Sequence, residues 1–266
     1  RFHPDLTGME YLGQGVILII SGIAAGFVAN LIKKKMIISW ENVKEKNEVI
    51  DLFGQQISPQ IAASILAKKD ELSGARKMVC VMFLDIRDFT PFVESHTPEE
   101  VVTYLNKLFH FMIDIVQMHN GVINQFLGDG FMATFGAPVP AGNISQNAVI
   151  AAMQIIEKVK SENEAGNIPK TRIGIGLHYG QAVIGNIGSS IRKQYSITGS
   201  VVIIASRIEQ LNKTYNAQLT ISEQVFNQLE PEEKVVFIPQ QPVMVKGYNQ
   251  TLSIFILNEE SMKNFN

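Results

Sequence analysis

The sequence is poor in cysteine and in charge. Cys80 is the only cysteine among 266 residues, which excludes an intrachain disulfide framework and a cysteine-based zinc site. Charged residues make up 18% of the chain, below the usual quarter, and the net charge is −2. This balance argues against a protein that binds nucleic acid through bulk positive charge. The apolar fraction of 46% excludes a disordered chain and is enough to build a core.

The excess of apolar residues, which gives a mean hydropathy of +0.10, lies near the start of the chain. From Gly15 to Ile32 the only polar side chains are Ser21 and Asn30. With its flanks this stretch covers residues 11–32, close to the length of about 20 residues that crosses a bilayer as a helix. Lysines follow at 33–35, and a basic cluster of this kind is typical of the cytoplasmic end of a span.

Two other interpretations of this stretch are a buried core helix and a signal peptide. A signal peptide carries its positive charges before the apolar run, whereas here they follow it. We therefore expect one transmembrane helix at 11–32 in the cell membrane, with the later domain in the cytoplasm. Because the chain begins with Arg1 and not with Met, we expect residues 1–10 to be the extracytoplasmic remnant of a longer protein.

The segment 33–77 is predicted to be a juxtamembrane signalling helix and linker. A heptad spacing runs through Met36, Trp40, Val43, Asn47 and Ile50. An asparagine at one a position is typical of a parallel coiled-coil dimer. Because two heptads are few, a single amphipathic helix is the alternative. Ser58 and Pro59 then predict the start of another helix, which runs to about Leu66.

From residue 78 the pattern changes to that of a mixed domain, expected to cover 78–258 with a tail at 259–266. The predicted strands are Met78–Leu84, Gly121–Phe126, Phe131–Phe135, Arg172–Leu177, Ala182–Asn186, Lys234–Ile238 and Leu252–Leu257. The predicted helices are 97–119, Ile144–Ser161 and Val201–Leu211. Hairpins are predicted around Gly128–Gly130 and Gly180, which favours an α+β fold with a mixed or antiparallel sheet.

Two aspartates at neighbouring strand ends are the first candidates for chemistry. Asp85 ends a buried strand, and Asp129 lies at the tip of the adjacent hairpin. Two such carboxylates can share two magnesium ions, the arrangement used for in-line attack at phosphorus. The backbone N–H groups that follow Asp85 could form a nest for a polyphosphate. Each aspartate also has a plainer interpretation, because Asp85 can cap a turn and Asp-Gly favours a hairpin turn.

Three blocks of sequence set these aspartates in a wider pattern. The blocks are FLDIRDFT at 83–90, QFLGDGFMATFGAP at 125–138, and GNIGS at 185–189 followed by YSITGSVVIIASRIE at 195–209. Together they resemble the catalytic domain of the class III nucleotidyl cyclases, from about residue 79 to about residue 257, as in membrane-anchored bacterial members. The resemblance implies an α+β, ferredoxin-like mixed or antiparallel sheet with flanking helices, preceded by one transmembrane helix.

The resemblance implies a role for each matching residue. Asp85 and Asp129 fall on the metal-binding aspartates, and Ile86 would also contact metal, so two Mg²⁺ or Mn²⁺ ions per site are the expected cofactors. One ion would polarise the ribose 3′-hydroxyl of a nucleoside triphosphate, and the other would hold the β- and γ-phosphates. Arg207 falls on the arginine that stabilises charge on the α-phosphate, and Lys246 falls on the terminal-phosphate lysine.

The resemblance also implies partners. Ile86, Phe89 and Thr90 are further expected substrate contacts, because they follow the metal-binding Asp85. In the family one domain supplies the metals and a second supplies the base-reading and transition-state groups. One domain per chain therefore implies a homodimer with two sites, with a heterodimer with another cyclase domain as the alternative.

The two base-reading positions depart from the family's pattern. Adenylyl cyclases usually carry lysine at the position of Gln125 and aspartate or threonine at that of Ser196, whereas guanylyl cyclases usually carry glutamate and cysteine. An amide and a hydroxyl both donate and accept hydrogen bonds, so this pair suits either base. Ser196 is closer to the threonine variant, which favours ATP, with GTP as the alternative.

A third departure concerns catalysis. Ile203 stands where the family has its transition-state asparagine, and the loss of one oriented donor costs on the order of 10²–10³ in rate. Ser200 also replaces an aspartate that is common in the family. Two hypotheses follow: an adenylate cyclase of intracellular signalling that makes 3′,5′-cyclic AMP and pyrophosphate, or a weakly active or inactive regulatory module. The intact aspartate pair favours the first.

Overall fold

The computed structural model describes most of the second part of the chain and short pieces of the first. The described residues are 14–19, 21–23, 26–27, 30, 33–36, 74–138, 140–189, 193–244 and 251–262. The chain divides into two units, Arg1–Ile57 and Ser58–Asn266. Of the predicted coiled-coil residues only Met36 is described, and the helix predicted from Ser58 lies outside the described residues.

In the first unit the described residues are helical, and apolar side chains such as Leu18 and Phe27 are exposed. Among the residues described, we find no helix with the length and apolar character needed to cross a membrane. The structure therefore does not support the transmembrane helix predicted over 11–32, a segment that it describes only in part.

The described part of the second unit alternates strands and helices from Ala75 to Met262. The strands are β1 Ala75–Ile86, β2 Gly121–Phe126, β3 Gly130–Phe135, β4 Ile173–Gly188, β5 Lys193–Thr198, β6 Leu219–Ser222, β7 Phe237–Pro239, β8 Val243–Met244, β9 Thr251–Leu252 and β10 Ile254–Leu257. The helices are α1 Phe89–Ser95, α2 Pro98–Met118, α3 Ile144–Glu164, α4 Ser200–Tyr215, α5 Glu223–Phe226, α6 Pro231–Lys234 and α7 Glu259–Met262.

An eight-stranded sheet forms the centre of this unit. Its order is β2-β3-β1-β4-β6-β10-β7, with β5 paired to β4 beyond that path. The β4–β6 pair is parallel and the other pairs of this sheet are antiparallel. The sheet is mixed and helices flank it, so the predicted α+β class is confirmed.

Strand β1 is buried on both faces of the sheet. Cys80, Met82 and Leu84 point into a core shared with α2 and α3, whereas Val79 and Val81 point into a second core shared with α4. Successive side chains of a strand alternate between faces, so a strand covered on both sides reads as a continuous apolar run. That run is what predicted β1.

Helix α2 begins where its sequence predicts. The Thr97 hydroxyl accepts a hydrogen bond from the Glu100 N–H, and the Glu100 carboxylate accepts one from the Thr97 N–H at 2.8 Å. This reciprocal capping satisfies backbone donors that the first turn leaves without partners. Leu108, Met112 and Val116 of α2 are fully buried, so this apolar face of the helix forms part of the core.

Two strand predictions are wrong. The hairpin expected around Gly180 is absent, because β4 runs without a break from Ile173 to Gly188 and pairs with the full length of β1. The strand expected at Lys234–Ile238 begins only at Phe237, because the preceding Pro231–Lys234 forms a helical turn with proline at its start. At Gly180 the turn signal was outweighed by the long pairing of β4 with β1. At Lys234 the strand pattern was outweighed by the capped helical turn that precedes it.

Gly176 allows α4 to lie close to the sheet, because a Cβ atom there would overlap the backbone of Glu209. We expect Gly176→Ala to lower the free energy of unfolding by about 2 kcal/mol or more, since helix and strand must separate. The matched control is Gly180→Ala on the same strand, whose added Cβ would meet Val201 at an ordinary 3.4 Å. Equal urea midpoints for the two variants would contradict this packing.

His178 is a buried residue of β4 whose Nδ1 lies 2.8 Å from the Ser222 hydroxyl. Burial lowers the pKa of His178 from 6.5 to about 4, so the imidazole is neutral in the folded protein. Below pH 6.5 the unfolded chain takes up the proton first, and stability falls as the pH drops toward about 4. We expect a loss of about 2 kcal/mol between pH 7 and pH 5.

Urea unfolding at these two pH values measures this loss. His178→Gln is expected to remove most of the difference, whereas His110→Gln, at an exposed site of α2, is expected to keep it. A His178→Gln protein with the full pH dependence would show that other groups cause it.

Candidate active site

The structure brings the two predicted metal-binding aspartates together. Asp85 lies one residue before the end of β1, opposite Gly130 of β3 and Gly174 of β4. Asp129 comes directly before β3, and its carbonyl accepts a hydrogen bond from the Ile86 N–H at 3.2 Å. The β2–β3 turn therefore places Asp129 beside the end of β1, as the sequence predicts.

The negative charges of Asp85 and Asp129 are unfavourable so close together. Burial and the neighbouring Asp129 carboxylate raise the pKa of Asp85, although the cationic Arg87 and Lys213 act in the opposite direction. A half-buried carboxylate next to a second carboxylate is unfavourable unless a cation compensates both. The arrangement therefore favours the binding of positive charge between the two aspartates.

The donor set suits a hard divalent cation. In the described part of the chain no group of three or more His, Cys, Asp or Glu side chains is placed to hold a metal. Mg²⁺ is commonly held by one or two carboxylates, with water and substrate phosphates as further ligands. Asp85 and Asp129 supply such a pair, and the residues present fit a Mg²⁺ or Mn²⁺ ion.

Ile86 can take part only through its backbone, because its side chain is 3% exposed and belongs to the core. Asp88 then adopts a left-handed conformation with φ 55°, and α1 begins at Phe89. Phe89 is half-buried against Phe92 and Thr90 is exposed. The expected substrate contacts of this segment thus lie directly after Asp85, and Thr90 is the one with a polar side chain open to solvent.

Sequence reasoning missed Arg87, which joins Asp85 to helix α4. Arg87 Nη1 lies 3.0 Å from Asp85 Oδ2, and Arg87 Nη2 lies 2.6 Å from Glu209 Oε1 of α4. Arg87 Nη2 also donates a hydrogen bond to the Glu209 carbonyl at 3.2 Å. A charged residue two places after Asp85 was the only available signal, and α4 is more than a hundred residues away in sequence.

The base-reading candidates lie on two strands on different sides of β1. Gln125 is exposed on β2, next to a bulge in the β2–β3 pairing. Ser196 is half-buried on β5, opposite Gly185. The predicted phosphate-binding Lys246 lies outside the described residues.

Helix α4 carries the remaining candidates. Arg207 is half-buried, and its Nη1 donates to Gln210 Oε1 at 2.9 Å. Ile203 lies one turn earlier, and 57% of its surface is exposed. Within the described residues Asp85 forms its ion pair with Arg87 and not with Arg207. One chain therefore does not join its own aspartates to its own Arg207.

The sequence-family model of the adenylate and guanylate cyclase catalytic domain matches residues 73–259. The chain belongs to this cyclase family. Two uncharacterized proteins of Mycobacterium tuberculosis are each 32% identical to it, one over 214 residues and one over 212, in both cases 80% of this chain. The chain spans only 37% and 38% of those relatives, so they contain much that it does not match.

Solved cyclase structures share the fold. The guanylyl cyclase Cya2 is 29% identical with a TM-score of 0.61, covering 69% of this chain and 93% of that one. The adenylyl cyclase CyaB from P. aeruginosa is 28% identical with a TM-score of 0.61, covering 70% and 96%. A bacterial light-regulated adenylyl cyclase, at 21% identity and a TM-score of 0.72 over 84% and 67%, shows the fold alone. The resemblance to class III cyclases is confirmed, and both substrate types occur among these neighbours.

Proposed function

We propose that this chain is the cyclase part of a signalling enzyme that converts ATP into 3′,5′-cyclic AMP and pyrophosphate. The observation that carries the proposal is the pairing of Asp85 with Asp129 at the end of β1, in a cyclase-family domain. A bound pair of Mg²⁺ or Mn²⁺ ions would supply Lewis-acid activation of the 3′-hydroxyl and charge neutralisation on the phosphates.

The reaction forms one bond and breaks one. At phosphorus, the ribose 3′-oxygen attacks the α-phosphorus, and the bond from that phosphorus to the bridging oxygen of the β-phosphate breaks, so pyrophosphate leaves. The 3′-hydroxyl gives up its proton to water. The Asp85 and Asp129 carboxylates would hold these divalent cations at the rigid end of β1, where the reacting end of the nucleotide would lie. Arg207 stabilises the charge that develops on the α-phosphate, because its guanidinium can hydrogen-bond two of its oxygens.

The site is shared between two copies of the chain. Arg207 supports this arrangement, because it does not contact the aspartates of its own chain. Exposed apolar side chains also support it: Ile203 on α4, Val183 on β4 and Phe126 at the β2–β3 turn are 57%, 41% and 51% exposed. Surfaces of this kind are typical of protein interfaces. A symmetric dimer would then contain two sites.

Gln125 and Ser196 are the residues proposed to read the base. Both groups donate and accept hydrogen bonds, so they can pair with the amine and ring nitrogen of adenine. ATP is the proposed substrate, and GTP is the alternative.

The test uses the full chain with ATP or GTP and with Mn²⁺ or Mg²⁺. Cyclic nucleotide and pyrophosphate are separated by chromatography, and we expect cyclic AMP in excess of cyclic GMP. Cyclic GMP in excess would show that GTP, and not ATP, is the preferred substrate. Absence of both products would contradict the proposed cyclase activity and favour the second candidate function described below.

The second candidate is a weakly active or inactive cyclase module that binds nucleotide or pairs with another cyclase domain. Ile203 favours it, because an exposed isoleucine one turn before Arg207 offers no hydrogen-bond donor. In this case nucleotide binding would persist without turnover, and activity would appear only when a second cyclase chain is added.

The proposed location is the cell membrane, with the cyclase domain on the cytoplasmic side. Support comes from the apolar composition of 11–32 and the lysines at 33–35. Fractionation tests it: the full chain should remain with membranes after an alkaline carbonate wash, and Ile19→Arg should release it. Release of the unaltered chain would exclude an anchoring role for this segment.

A further inference from the structure

A bridge of charged side chains connects the end of β1 to helix α4. We call Asp85, Arg87 and Glu209 the charge bridge. The Arg87 guanidinium reaches both carboxylates, at 3.0 Å and 2.6 Å, and the side chains of Arg87 and Glu209 are each only 10% exposed. Buried charges are unfavourable unless they are paired, so Arg87 and Glu209 depend on each other, whereas the half-buried Asp85 is partly solvated.

Two glycines of β4 leave room for the charge bridge. A Cβ atom on Gly174 would overlap the Arg87 guanidinium, and one on Gly176 would overlap the backbone of Glu209. One turn beyond Glu209, the buried Asn212 donates hydrogen bonds to the carbonyls of Ile175 at 2.8 Å and Glu209 at 3.0 Å. Gly176 therefore lets this turn of α4 approach β4, the Asn212 amide bonds the two together, and Gly174 leaves room for Arg87.

The bridge joins residues that serve different active sites. Asp85 lies at the end of β1, whereas Glu209 follows Arg207 by two positions on α4. In the proposed dimer, the aspartates of one chain work with Arg207 of the other chain. The charge bridge within one chain therefore connects the metal half of one site to the transition-state half of the other.

We propose that Arg87 and Glu209 are positioning residues that couple the two active sites of the dimer, a role that rests on the proposed function. Arg87 is shared between Asp85 and Glu209. If a divalent cation binds Asp85, the ion pair between Asp85 and Arg87 weakens. Arg87 then pairs with Glu209 alone and fixes the position of α4 more firmly. Occupation of the metal half of one site thereby sets the position of Arg207 in the other.

Binding of Mn²⁺ alone tests the metal side of the proposal. In Glu209→Gln, Arg87 loses its second carboxylate and stays with Asp85, so Mn²⁺ binding measured by electron paramagnetic resonance should weaken about tenfold. The double variant Arg87→Gln/Glu209→Gln has no competing guanidinium and should bind within about threefold of the unaltered protein.

The control for this cycle is Asp88→Asn. It also removes one negative charge close to Asp85, but Asp88 is exposed and forms no ion pair with Arg87. We expect its Mn²⁺ affinity to change by less than about twofold, since exposed charges are screened. Equal weakening in Asp88→Asn and Glu209→Gln, or a double variant as weak as Glu209→Gln, would overturn the proposal.

A mixed dimer tests the coupling. One chain carries Arg207→Ala and the other carries Asp85→Asn, so a single intact site takes its aspartates from the first chain and Arg207 from the second. Glu209→Gln is then added to either chain. In the first chain it should raise the Mn²⁺ concentration for half-maximal activity about tenfold; in the second it should lower kcat about tenfold at unchanged Mn²⁺ requirement.

The outcomes separate the two proposals. If the mixed dimer without Glu209→Gln is inactive while the unaltered dimer is active, the shared site of the proposed function is wrong. If the mixed dimer is active and Glu209→Gln in the second chain leaves kcat unchanged, the coupling is wrong and the shared site stands.

Discussion

Asp85→Asn is expected to lower the rate of cyclic nucleotide formation by about a thousandfold or more, while two chains still associate. The reason is charge: a neutral amide cannot replace a carboxylate that shares divalent cations with Asp129, and metal stabilisation of a phosphoryl transition state is worth several kcal/mol. Product formation at saturating ATP and Mn²⁺ measures the loss, and light scattering measures the dimer.

The same substitution is expected to leave the fold intact. Burial and the Asp129 carboxylate raise the pKa of Asp85, so its charge is less favourable in the folded than in the unfolded protein, and Arg87 keeps Glu209 as a partner when Asp85 is replaced. The urea midpoint at pH 7 should therefore stay the same or rise. Asp114→Asn is the matched control, because Asp114 is exposed on α2 and distant in sequence from both aspartates. If Asp85→Asn turned over substrate as fast as Asp114→Asn, the assignment of Asp85 as a metal ligand would be wrong.

Ile203→Asn is expected to raise kcat by on the order of 10²-fold. The position lies one turn before Arg207 on α4, and its side chain is 57% exposed, so an amide can be placed there without a cavity or a buried polar group. The amide would supply an oriented hydrogen-bond donor on the same helix face as the proposed transition-state arginine. Stability should change little, because the site is on the surface.

The control for Ile203→Asn is Ile203→Leu, which keeps an apolar side chain and adds no donor. Rates are measured at a fixed dimer concentration, because Ile203 belongs to the proposed interface. A rise in Ile203→Asn alone would show that a hydrogen-bond donor is the missing element. No rise would indicate that the site is arranged around Ile203.

Local signals predicted the elements that position the aspartates. The apolar run of β1, the capping residues of α2 and the Asp-Gly turn between β2 and β3 each act over a few residues, and all three elements form as predicted. β4 is the counterexample. Gly180 is typical of a turn, yet it pairs with Val79 inside a continuous strand, because the full length of β1 is available as a partner.

What the sequence by itself determined is the family, the α+β class and the pair Asp85 and Asp129, because these depend on ordered motifs and short-range periodicity. Only the tertiary structure decided the surroundings of that pair. The link from Arg87 to Glu209 joins positions 122 residues apart, and no local pattern encodes a partner at that distance. It exists because glycines on β4 let α4 approach the sheet, so that close packing, and not residue type alone, brings the buried charges together.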